Sequence, residues 1–415
     1  VDVSTGAYTD SITALSVQGA NPVTAQLSYD SNAVSDLGEF GYGWTHNYET
    51  RILNMNDGTV RYYVSPTGYY TFIAEDYESK KELKTDDNGY LYIDVSNIPM
   101  KQNFKCLNDN KAGYELKRSD NGVYTITDKA GNITRFDKKG NVTEMSNREG
   151  KAVTVERDSD SFTVTDKASG RFLEYGLDKD TKLVMSVSDG DRTAYFYYNE
   201  DKCLKQFDNA AGESTYYTYD SKHRITTVTN DDGVTYVTNA YVMPDKESAS
   251  AAETGSSEDT ETGGAFRTGR VHSQTDALGY VTKFDYREDD TNGNLTTTVT
   301  TRSGAKKETV TDPYGNVVSF TNELGDTTIT TYDDNGNETG RLSTEYIYYP
   351  NSKLNKVTDY RGAATTYSYD KSWRVQTVES TTEPKITYDY DPAGRVIKET
   401  RGETNGNIFN KSEAV

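Results

Sequence analysis

The chain has 415 residues, of which 33% are hydrophobic and 27% are charged, and its formal net charge is -20 at pH 7. Such a composition is typical of disorder, but the 34 Tyr residues and the abundant Thr indicate ordered, half-buried β-strands instead. We therefore expect a β-rich protein of two or three domains without a deep apolar core.

The charge and hydropathy patterns exclude several classes of partner. Basic residues occur at most in pairs, such as Lys80-Lys81, so neither nucleic acid nor an anionic membrane surface is expected as a partner. The sequence contains no apolar stretch of about 20 residues that would predict a membrane span. Cys106 and Cys203 match no zinc-ligand spacing, and the sequence leaves open whether they are bonded to each other.

Residues 1–75 precede the repetitive part of the chain and are assigned to an N-terminal module. Its most distinctive segment reads Gly41-Tyr-Gly-Trp-Thr-His-Asn-Tyr48. His46 stands beside Trp44 and has no cysteine or second histidine at ligand spacing, so we expect it to pack or to form a hydrogen bond. Residues 76–113 are a polar transition segment with no clear unit.

From residue 114 onwards the chain repeats one turn signal, which is Asp or Asn followed by two variable residues and Gly. Well-formed copies begin at Asp128, Asp137, Asn147, Asn209, Asn230, Asp276, Asp312, Asn322, Asp333, Asp359 and Asp391. Type I turns favour these residues, because the Asp or Asn side chain accepts backbone hydrogen bonds. The turns recur about every ten residues, which leaves about six residues for each strand.

Tyr-rich strands alternate with Val/Thr-rich return strands between the turns, which predicts an antiparallel meander. Tyr198 and Tyr219 are 21 residues apart, and so are Tyr369 and Tyr390. Two strands and two turns therefore form one repeat unit.

The repeats occupy two ranges, residues 114–242 and residues 270–415. The segment between them, residues 243–269, is acidic and of low complexity. This composition predicts a flexible loop.

The length of the meander predicts its shape. Open twisted sheets rarely exceed about ten strands, so a meander of well over twenty strands must curl. Scarce Leu, Ile and Val disfavour a dry sandwich, and the two-strand period disfavours a propeller. The predicted fold is all-β, a long antiparallel meander of β-hairpin repeats curled into a spiral, hollow or open shell-like sheet.

These repeats resemble those of the Rhs/YD-repeat family. The family repeat runs Tyr-Asp, a short turn, Gly-Arg and a Val/Thr strand. The stretch Tyr390-Asp391-Pro-Ala-Gly394-Arg395-Val396 matches it nearly in full. Weaker copies begin at Tyr219-Asp220 and at Tyr369-Asp370.

The N-terminal module resembles the same family. Gly41, Gly43, Trp44 and His46 match the family signature Gly-x-Gly-Trp-Ser-His-x-Tyr, with Thr45 in place of Ser. Together the two resemblances cover nearly the whole chain. The family's C-terminal core-associated segment has no counterpart in it.

The resemblance implies a structural role. In Rhs toxins and in the shell components of insecticidal Tc toxins, the repeats enclose a C-terminal toxin. This chain is therefore expected to be a shell segment of a secreted or cell-surface bacterial protein. The implied partner is a C-terminal toxin or effector missing from this chain, and neither a cofactor nor an enzymatic activity is expected.

A second interpretation stays open, in which the chain is a surface adhesin or a module that binds a glycan or a surface protein through tyrosine-rich faces. Acidic turns such as Asp86-Asp-Asn-Gly89 and the segment from Glu288 to Gly293 come nearest to a calcium loop, but neither completes an EF-hand spacing. Ordinary turn chemistry is favoured for both, and no catalytic or metal-binding set is predicted.

Overall fold

The computed structural model describes residues 1–415 except residues 20, 36, 56, 65–67, 81, 86–90, 95–98, 109–112, 243–268, 334–335, 403–412 and 415. The chain divides into two compact units, Val1–Lys283 and Phe284–Val415, which we call the first unit and the second unit. The predicted flexible loop, residues 243–269, lies outside the described residues except for Gly269. The acidic turn at residues 86–89 also lies outside them.

Strands are the dominant secondary structure, with 55% of the residues, and the helix α1 (Tyr77–Lys80) is one turn long. The strands up to residue 127 are β1 (Thr9–Val17), β2 (Val23–Asp30), β3 (Leu37–Gly38), β4 (Gly41–Tyr42), β5 (Trp44–His46), β6 (Arg51–Asn54), β7 (Thr59–Tyr63), β8 (Tyr69–Ala74), β9 (Glu82–Thr85), β10 (Leu91–Asp94), β11 (Gln102–Cys106), β12 (Glu115–Arg118) and β13 (Tyr124–Thr127). They continue as β14 (Ile133–Phe136), β15 (Val142–Ser146), β16 (Ala152–Arg157), β17 (Ser161–Asp166), β18 (Phe172–Leu177), β19 (Val184–Ser188), β20 (Thr193–Tyr198), β21 (Leu204–Asp208), β22 (Ser214–Tyr219), β23 (Ile225–Thr229), β24 (Thr235–Tyr241), β25 (Val271–Asp276) and β26 (Val281–Glu288). The remaining strands are β27 (Leu295–Thr300), β28 (Lys306–Thr311), β29 (Val317–Thr321), β30 (Thr327–Tyr332), β31 (Glu338–Ser343), β32 (Glu345–Tyr348), β33 (Leu354–Thr358), β34 (Ala364–Tyr369), β35 (Val375–Ser380), β36 (Ile386–Tyr390), β37 (Val396–Arg401) and β38 (Glu413–Ala414).

Twenty-four of these strands form one antiparallel meander, β6 to β8 followed by β11 to β31, which is not closed into a barrel. The order skips strands where β8 pairs with β11, which places Phe104 opposite Ala74. The smaller sheets are β1-β2-β5, β3-β4, β9-β10 and a seven-stranded meander from β32 to β38. The predicted all-β antiparallel meander is confirmed.

The repeat turns are three-residue hairpin loops, in which a type I turn is followed by a residue with positive φ. In the turn that starts at Asp128, the Gly131 N–H donates to the Asp128 carbonyl at 3.0 Å, and the Asp128 N–H donates to the Asn132 carbonyl at 3.0 Å. The Asp128 carboxylate also accepts the Asn132 N–H at 2.9 Å. The predicted turn chemistry is confirmed, since this last bond is why Asp or Asn opens the turn.

The recurring tyrosine links neighbouring strands. Its hydroxyl donates to the carbonyl of the first residue in the preceding strand, as in Tyr219 to Leu204 at 2.7 Å and Tyr369 to Leu354 at 2.8 Å. The same bond is made by Tyr198, Tyr241, Tyr332 and Tyr390. A Tyr hydroxyl next to a buried ring needs a partner, and the repeat supplies one at each of these positions.

The first unit has a buried apolar core between the N-terminal sheet β1-β2-β5 and the repeat strands. Phe40 packs edge-to-face on Phe196 with ring centroids 4.9 Å apart, and Trp44 packs on Tyr217 at 5.4 Å. The expectation of a chain without a deep apolar core is therefore wrong for this unit. Aromatic rings replace the scarce aliphatic side chains, and the N-terminal module supplies the second layer that a sheet needs.

The meander curls back on itself within the first unit. The Ile52 N–H in β6 donates to the carbonyl of Gly140, in the turn between β14 and β15, at 2.9 Å. Next to this bond, Arg51 forms an isolated bridge with Asn141. The sheet that starts at β6 thus meets its own first strand again after β14, and the predicted curling is confirmed for this unit.

The second unit has a different pattern of burial. Among its described residues, the buried apolar side chains are Phe284 and Leu295, and the buried polar ones are threonines. Every residue of β33 is half-buried, so neither face of that strand is fully covered. Within the described part of this unit, the sheet therefore lacks a second layer comparable to the one in the first unit.

The low-complexity segment interrupts a repeat at its turn. In the regular turn from Asp391, the Asp391 N–H donates to the Arg395 carbonyl at 2.9 Å, and the Val242 N–H makes the same bond to the Arg270 carbonyl at 2.9 Å. Gly269-Arg270-Val271 therefore takes the place of a repeat's Gly-Arg-Val, so Gly269 belongs to the repeat. The other predicted domain boundaries stay predictions.

Replacing residues 243–268 with Pro-Ala, the dipeptide that separates Asp391 from Gly394, should preserve the fold of the first unit. We expect its free energy of unfolding to rise by about 1 kcal/mol, because a shorter loop costs less entropy to close. Urea denaturation of the two proteins measures the difference. A clear loss of stability would contradict the view that this segment is an insertion into a turn.

Candidate functional site

The contact surface between the N-terminal module and the repeats brings together the two motifs that the sequence singled out. The Trp44 side chain in β5 is fully buried. Its Nε1–H donates to the Tyr219 hydroxyl oxygen at 3.0 Å, and that hydroxyl donates in turn to the Leu204 carbonyl at 2.7 Å. The signature tryptophan thus binds directly to a repeat tyrosine.

The two signature glycines allow the close approach of this module to its surroundings. Gly41 has a φ of +92°, and a Cβ atom there would lie 2.5 Å from the Lys202 carbonyl oxygen. Gly43 has a φ of +76°, and its Cβ would lie 2.6 Å from the Tyr29 ring. Any side chain at either position would therefore displace the module from the repeats or from its own strand.

Tyr29 and Tyr42 form a second set of contacts at this surface, which the sequence did not predict. The Tyr29 hydroxyl accepts the Ile225 N–H at 2.9 Å and donates to the His223 carbonyl at 3.2 Å. Tyr42 stacks on the His223 ring with centroids 3.9 Å apart. His223 occupies the turn before β23, and His272 lies in β25.

A cluster of half-buried polar and charged side chains lies beside Trp44. The His46 Nε2 atom is 2.8 Å from Glu39 Oε2, and the Arg157 guanidinium in β16 contacts both Glu39 oxygens at 2.7 and 3.4 Å. The Glu49 carboxylate accepts the Glu39 N–H at 3.1 Å. In this structure His46 packs among aromatic rings and forms a hydrogen bond. The sequence offered one signal for its partner, an acidic residue between Gly38 and Phe40.

The two carboxyl groups of this cluster are shifted in opposite directions. Burial opposes the ionisation of Glu39, but hydrogen bonds and charges from His46 and Arg157 outweigh it and lower the pKa of Glu39 to about 2. Burial raises the pKa of Glu49, and its neighbours do not compensate for the lost hydration.

In the Tyr-Asp repeat, the Asp side chain binds the Arg side chain of the same turn, and that Arg contacts the tyrosine of the next repeat. We call this arrangement a fork, and its contact with the next repeat was not predicted from the sequence. The Asp220 carboxylate accepts the Arg224 Nε–H at 2.7 Å, and the Arg224 guanidinium lies 4.4 Å from the ring centroid of Tyr241, the tyrosine of the next repeat. Burial opposes the ionisation of Asp220, but hydrogen bonds from Arg224 hold its pKa below the ordinary value. Each fork therefore joins one repeat to the next.

The copies in the second unit repeat this geometry. The Asp370 carboxylate accepts the Arg374 Nε–H at 2.7 Å, and Arg374 lies 4.5 Å from the Tyr390 ring centroid. Arg374 also donates to the Asp391 carbonyl at 3.2 Å. In the copy that follows, Arg395 bonds to Asp391 at 2.7 Å while its side chain is 82% exposed.

Two forks of equal geometry and unequal burial allow a matched prediction. Arg224→Ala should lower the free energy of unfolding by about 2 kcal/mol, because it removes a buried charged hydrogen bond and a ring contact. Arg395→Ala removes the same ion pair at the surface and should leave stability unchanged. Urea denaturation of both variants measures the difference. Equal losses would contradict the role assigned to the stacking on the next repeat.

Other candidate chemistry finds little support in the described part of the chain. No group of three His, Cys, Asp or Glu side chains is placed there to hold a metal ion. Cys106 and Cys203 are both free thiols. No helix among the described residues is long and apolar enough to cross a membrane.

Comparison with known proteins adds one family and several structures. Residues 1–71 match the family described as "Domain of unknown function (DUF6531)". Curated proteins give no match. Among solved structures, the chain is similar to a crystal structure of TcdB2-TccC3-TEV, with 12% identity, a TM-score of 0.31 and coverage of 95% of this chain and 23% of that one.

Two further structures are similar at the same level. The crystal structure of TcdB2-TccC3 without its hypervariable C-terminal region has 11% identity and a TM-score of 0.30, over 92% of this chain and 22% of that one. A Tc holotoxin pore from Photorhabdus luminescens has 10% identity and a TM-score of 0.28, over 92% and 22%. This chain spans less than a quarter of the length of these structures. The repeated Tyr-Asp forks and the 21-residue unit resemble the Rhs/YD repeat, as the sequence predicts.

Proposed function

We propose that this chain is a structural segment of an Rhs/YD-repeat shell, belonging to a secreted or cell-surface bacterial protein. The shell encapsulates or presents a C-terminal toxin or effector segment. Gly41, Gly43, Trp44 and His46 dock the N-terminal module, and the Tyr-Asp forks of residues 219–220, 369–370 and 390–395 extend the wall. The proposal includes no enzymatic step and no cofactor.

One observation supports this function above the others, which is the half-buried sheet of the second unit. Its described residues bury Phe284 and Leu295 but leave Trp373, Val396 and Ile397 about half exposed. A sheet with apolar groups on accessible faces gains stability when another layer covers it. An enclosed polypeptide would supply that layer.

Protease protection in the complete gene product tests the proposal. A reporter with a known protease site is fused after the repeats, and its cleavage rate is compared with that of the reporter alone. We expect cleavage in the full protein to be slowed strongly until the wall is opened with denaturant. Equal cleavage rates with an intact wall would contradict encapsulation.

A second candidate function, ligand binding, is favoured by a group of exposed rings on the first unit. Tyr195, Tyr197 and Tyr216 are each about 40–50% exposed, on the face opposite the buried Phe196. Tyr197 and Tyr216 flank Gln206 in one cross-strand row. Gln206 donates to the nearby Asp208 carboxylate at 2.8 Å. Rings beside a carboxylate and an amide can stack on a sugar and bind its hydroxyls.

A glycan array probed with the labelled chain tests this second function. We expect a signal that is lost when Tyr195→Ser and Tyr216→Ser are combined. Tyr346→Ser, which removes a ring of similar exposure in the second unit, should leave the signal unchanged. An array without binding to the unmodified chain would exclude the glycan interpretation and leave the structural role untouched.

A further inference from the structure

Two side chains of this cluster have a buried polar atom without a hydrogen-bond partner, His46 at Nδ1 and Glu49 at Oε2. The Glu49 Oε1 atom accepts the Glu39 N–H at 3.1 Å, but its Oε2 atom is buried and has no hydrogen-bond partner. The carboxyl group lies against Gly38, where a Cβ atom would be 3.0 Å from Oε1. A buried carboxylate oxygen without a partner costs free energy as long as the group is ionised.

Charged or titratable groups face Glu49 from the elements packed against it. Glu39 and His46 face it from the N-terminal module, and Arg157 faces the same cluster from β16. Tyr198 lies at the end of β20, and its hydroxyl is neutral because burial and the nearby charge of Glu49 raise its pKa. The cations do not offset the cost at Glu49, because Arg157 is already bonded to both oxygens of Glu39.

A small cavity gives solvent a route to this carboxyl group. Its volume is about 260 Å³, and Glu39, Glu49, Arg51, Arg157 and Lys182 all line it. Arg51 lies over the Tyr63 ring at 4.9 Å, and the Lys182 Nζ donates to the Ser159 carbonyl at 2.9 Å. Arg51 and Lys182 thus contact other groups than Glu49. A proton from solvent can reach the Glu49 carboxylate through the cavity.

We propose that protonation of Glu49 strengthens the docking of the N-terminal module on the repeats. When the pH falls, one proton from solvent binds Glu49 Oε2 and turns the carboxylate into a neutral acid. No other bond forms or breaks. The neutral form removes the buried unpaired charge, and the N-terminal module docks more tightly on the strands that carry Arg157 and Tyr198.

The direction of the pH dependence follows from linkage. A carboxyl group with a higher pKa in the folded than in the unfolded protein binds more protons when folded. Its contribution to stability is complete below the unfolded pKa and is lost as the pH rises through the folded pKa. Glu39 behaves oppositely, because its pKa is lowered to about 2, and it stays ionised above pH 5. Of the two carboxyl groups in this cluster, Glu49 is the one whose pKa is raised, so its protonation stabilises the folded protein as the pH falls from 7.5 to 5.

The experiment uses the fact that the chain has two tryptophans. In a Trp373→Phe background, Trp44 emission reports docking of the N-terminal module alone. We expect its melting temperature to rise by about 2 °C or more when the pH is lowered from 7.5 to 5. In Glu49→Gln, whose side chain mimics the neutral acid, the melting temperature should already be high at pH 7.5 and should not change.

Glu174→Gln, at an exposed position of β18, is the matched control and should keep the pH dependence of the parent. A rise that persists in Glu49→Gln would assign the effect to another group, such as His46, and overturn the proposal. A flat profile in the parent would overturn it as well. Failure of Glu49→Gln to fold would do the same, since a neutral side chain is the state that the proposal calls tighter.

Discussion

Gly140→Ala is expected to lower the free energy of unfolding of the first unit by about 3–5 kcal/mol. Gly140 has a φ of +90°, and a Cβ atom there would lie 1.8 Å from the Ile52 carbonyl oxygen. A left-handed conformation costs a side chain about 1–2 kcal/mol. The clash also pushes β6 away and breaks the bond from the Ile52 N–H to the Gly140 carbonyl. Urea denaturation followed by circular dichroism measures the loss.

Gly150→Ala is the matched control for this prediction. Gly150 occupies the same place in the next turn along the chain, with a φ of +81°, but nothing lies within 4 Å of its Cβ position. Gly150→Ala should therefore lower the free energy of unfolding only by the backbone strain, about 1–2 kcal/mol. If both variants lose the same amount, the contact between β6 and the β14–β15 turn does not hold the curl of the sheet.

The second large effect is expected at Trp44. Trp44→Ala should cost about 3–5 kcal/mol, because it empties a fully buried site between the N-terminal module and the repeats. It also leaves the Tyr219 hydroxyl oxygen without the indole donor. Trp44→Phe keeps most of the packing and should lose about 1–2 kcal/mol. Calorimetry of the three proteins gives the comparison without relying on tryptophan emission.

Trp373→Ala serves as the control for Trp44→Ala. Its side chain is 48% exposed, and it lies in the second unit against Tyr349 and Tyr369. We expect a loss below about 1 kcal/mol, since surface positions contribute little. A larger loss at Trp373 than at Trp44 would show that the N-terminal module is not the element that completes the core of the first unit.

The features that the sequence predicted are those set by neighbours in the chain. The turn from Asp128 depends on residues no more than four positions away, and its residue types reveal it. The 21-residue spacing of Tyr198 and Tyr219 likewise reports a bond between adjacent strands. These patterns can be recognised in a single sequence because every repeat makes the same contacts with its neighbours and therefore needs the same residue types at the same positions.

The features that escaped prediction depend on contacts between distant residues. Glu39 and Arg157 are 118 positions apart, and Tyr29 reaches the Ile225 N–H across 196 positions. Nothing in a single sequence pairs them. The absence of a deep core was predicted wrongly for the same reason, because the composition of the whole chain hides a module that covers one part of the sheet. Gly269 forms a Gly-Arg-Val segment with Arg270 and Val271, but the composition of the residues before it places it in the predicted loop.

Electron cryo-microscopy of the complete gene product tests the shell function most directly. We predict that residues 284–401 form part of a curled wall, with density for another polypeptide segment against one face of that wall. The same map should show the N-terminal module docked through Trp44 on the strands that carry Tyr217 and Tyr219. A map in which these residues fold into isolated, two-layered domains, with solvent on both outer faces and no enclosed segment, would contradict the account.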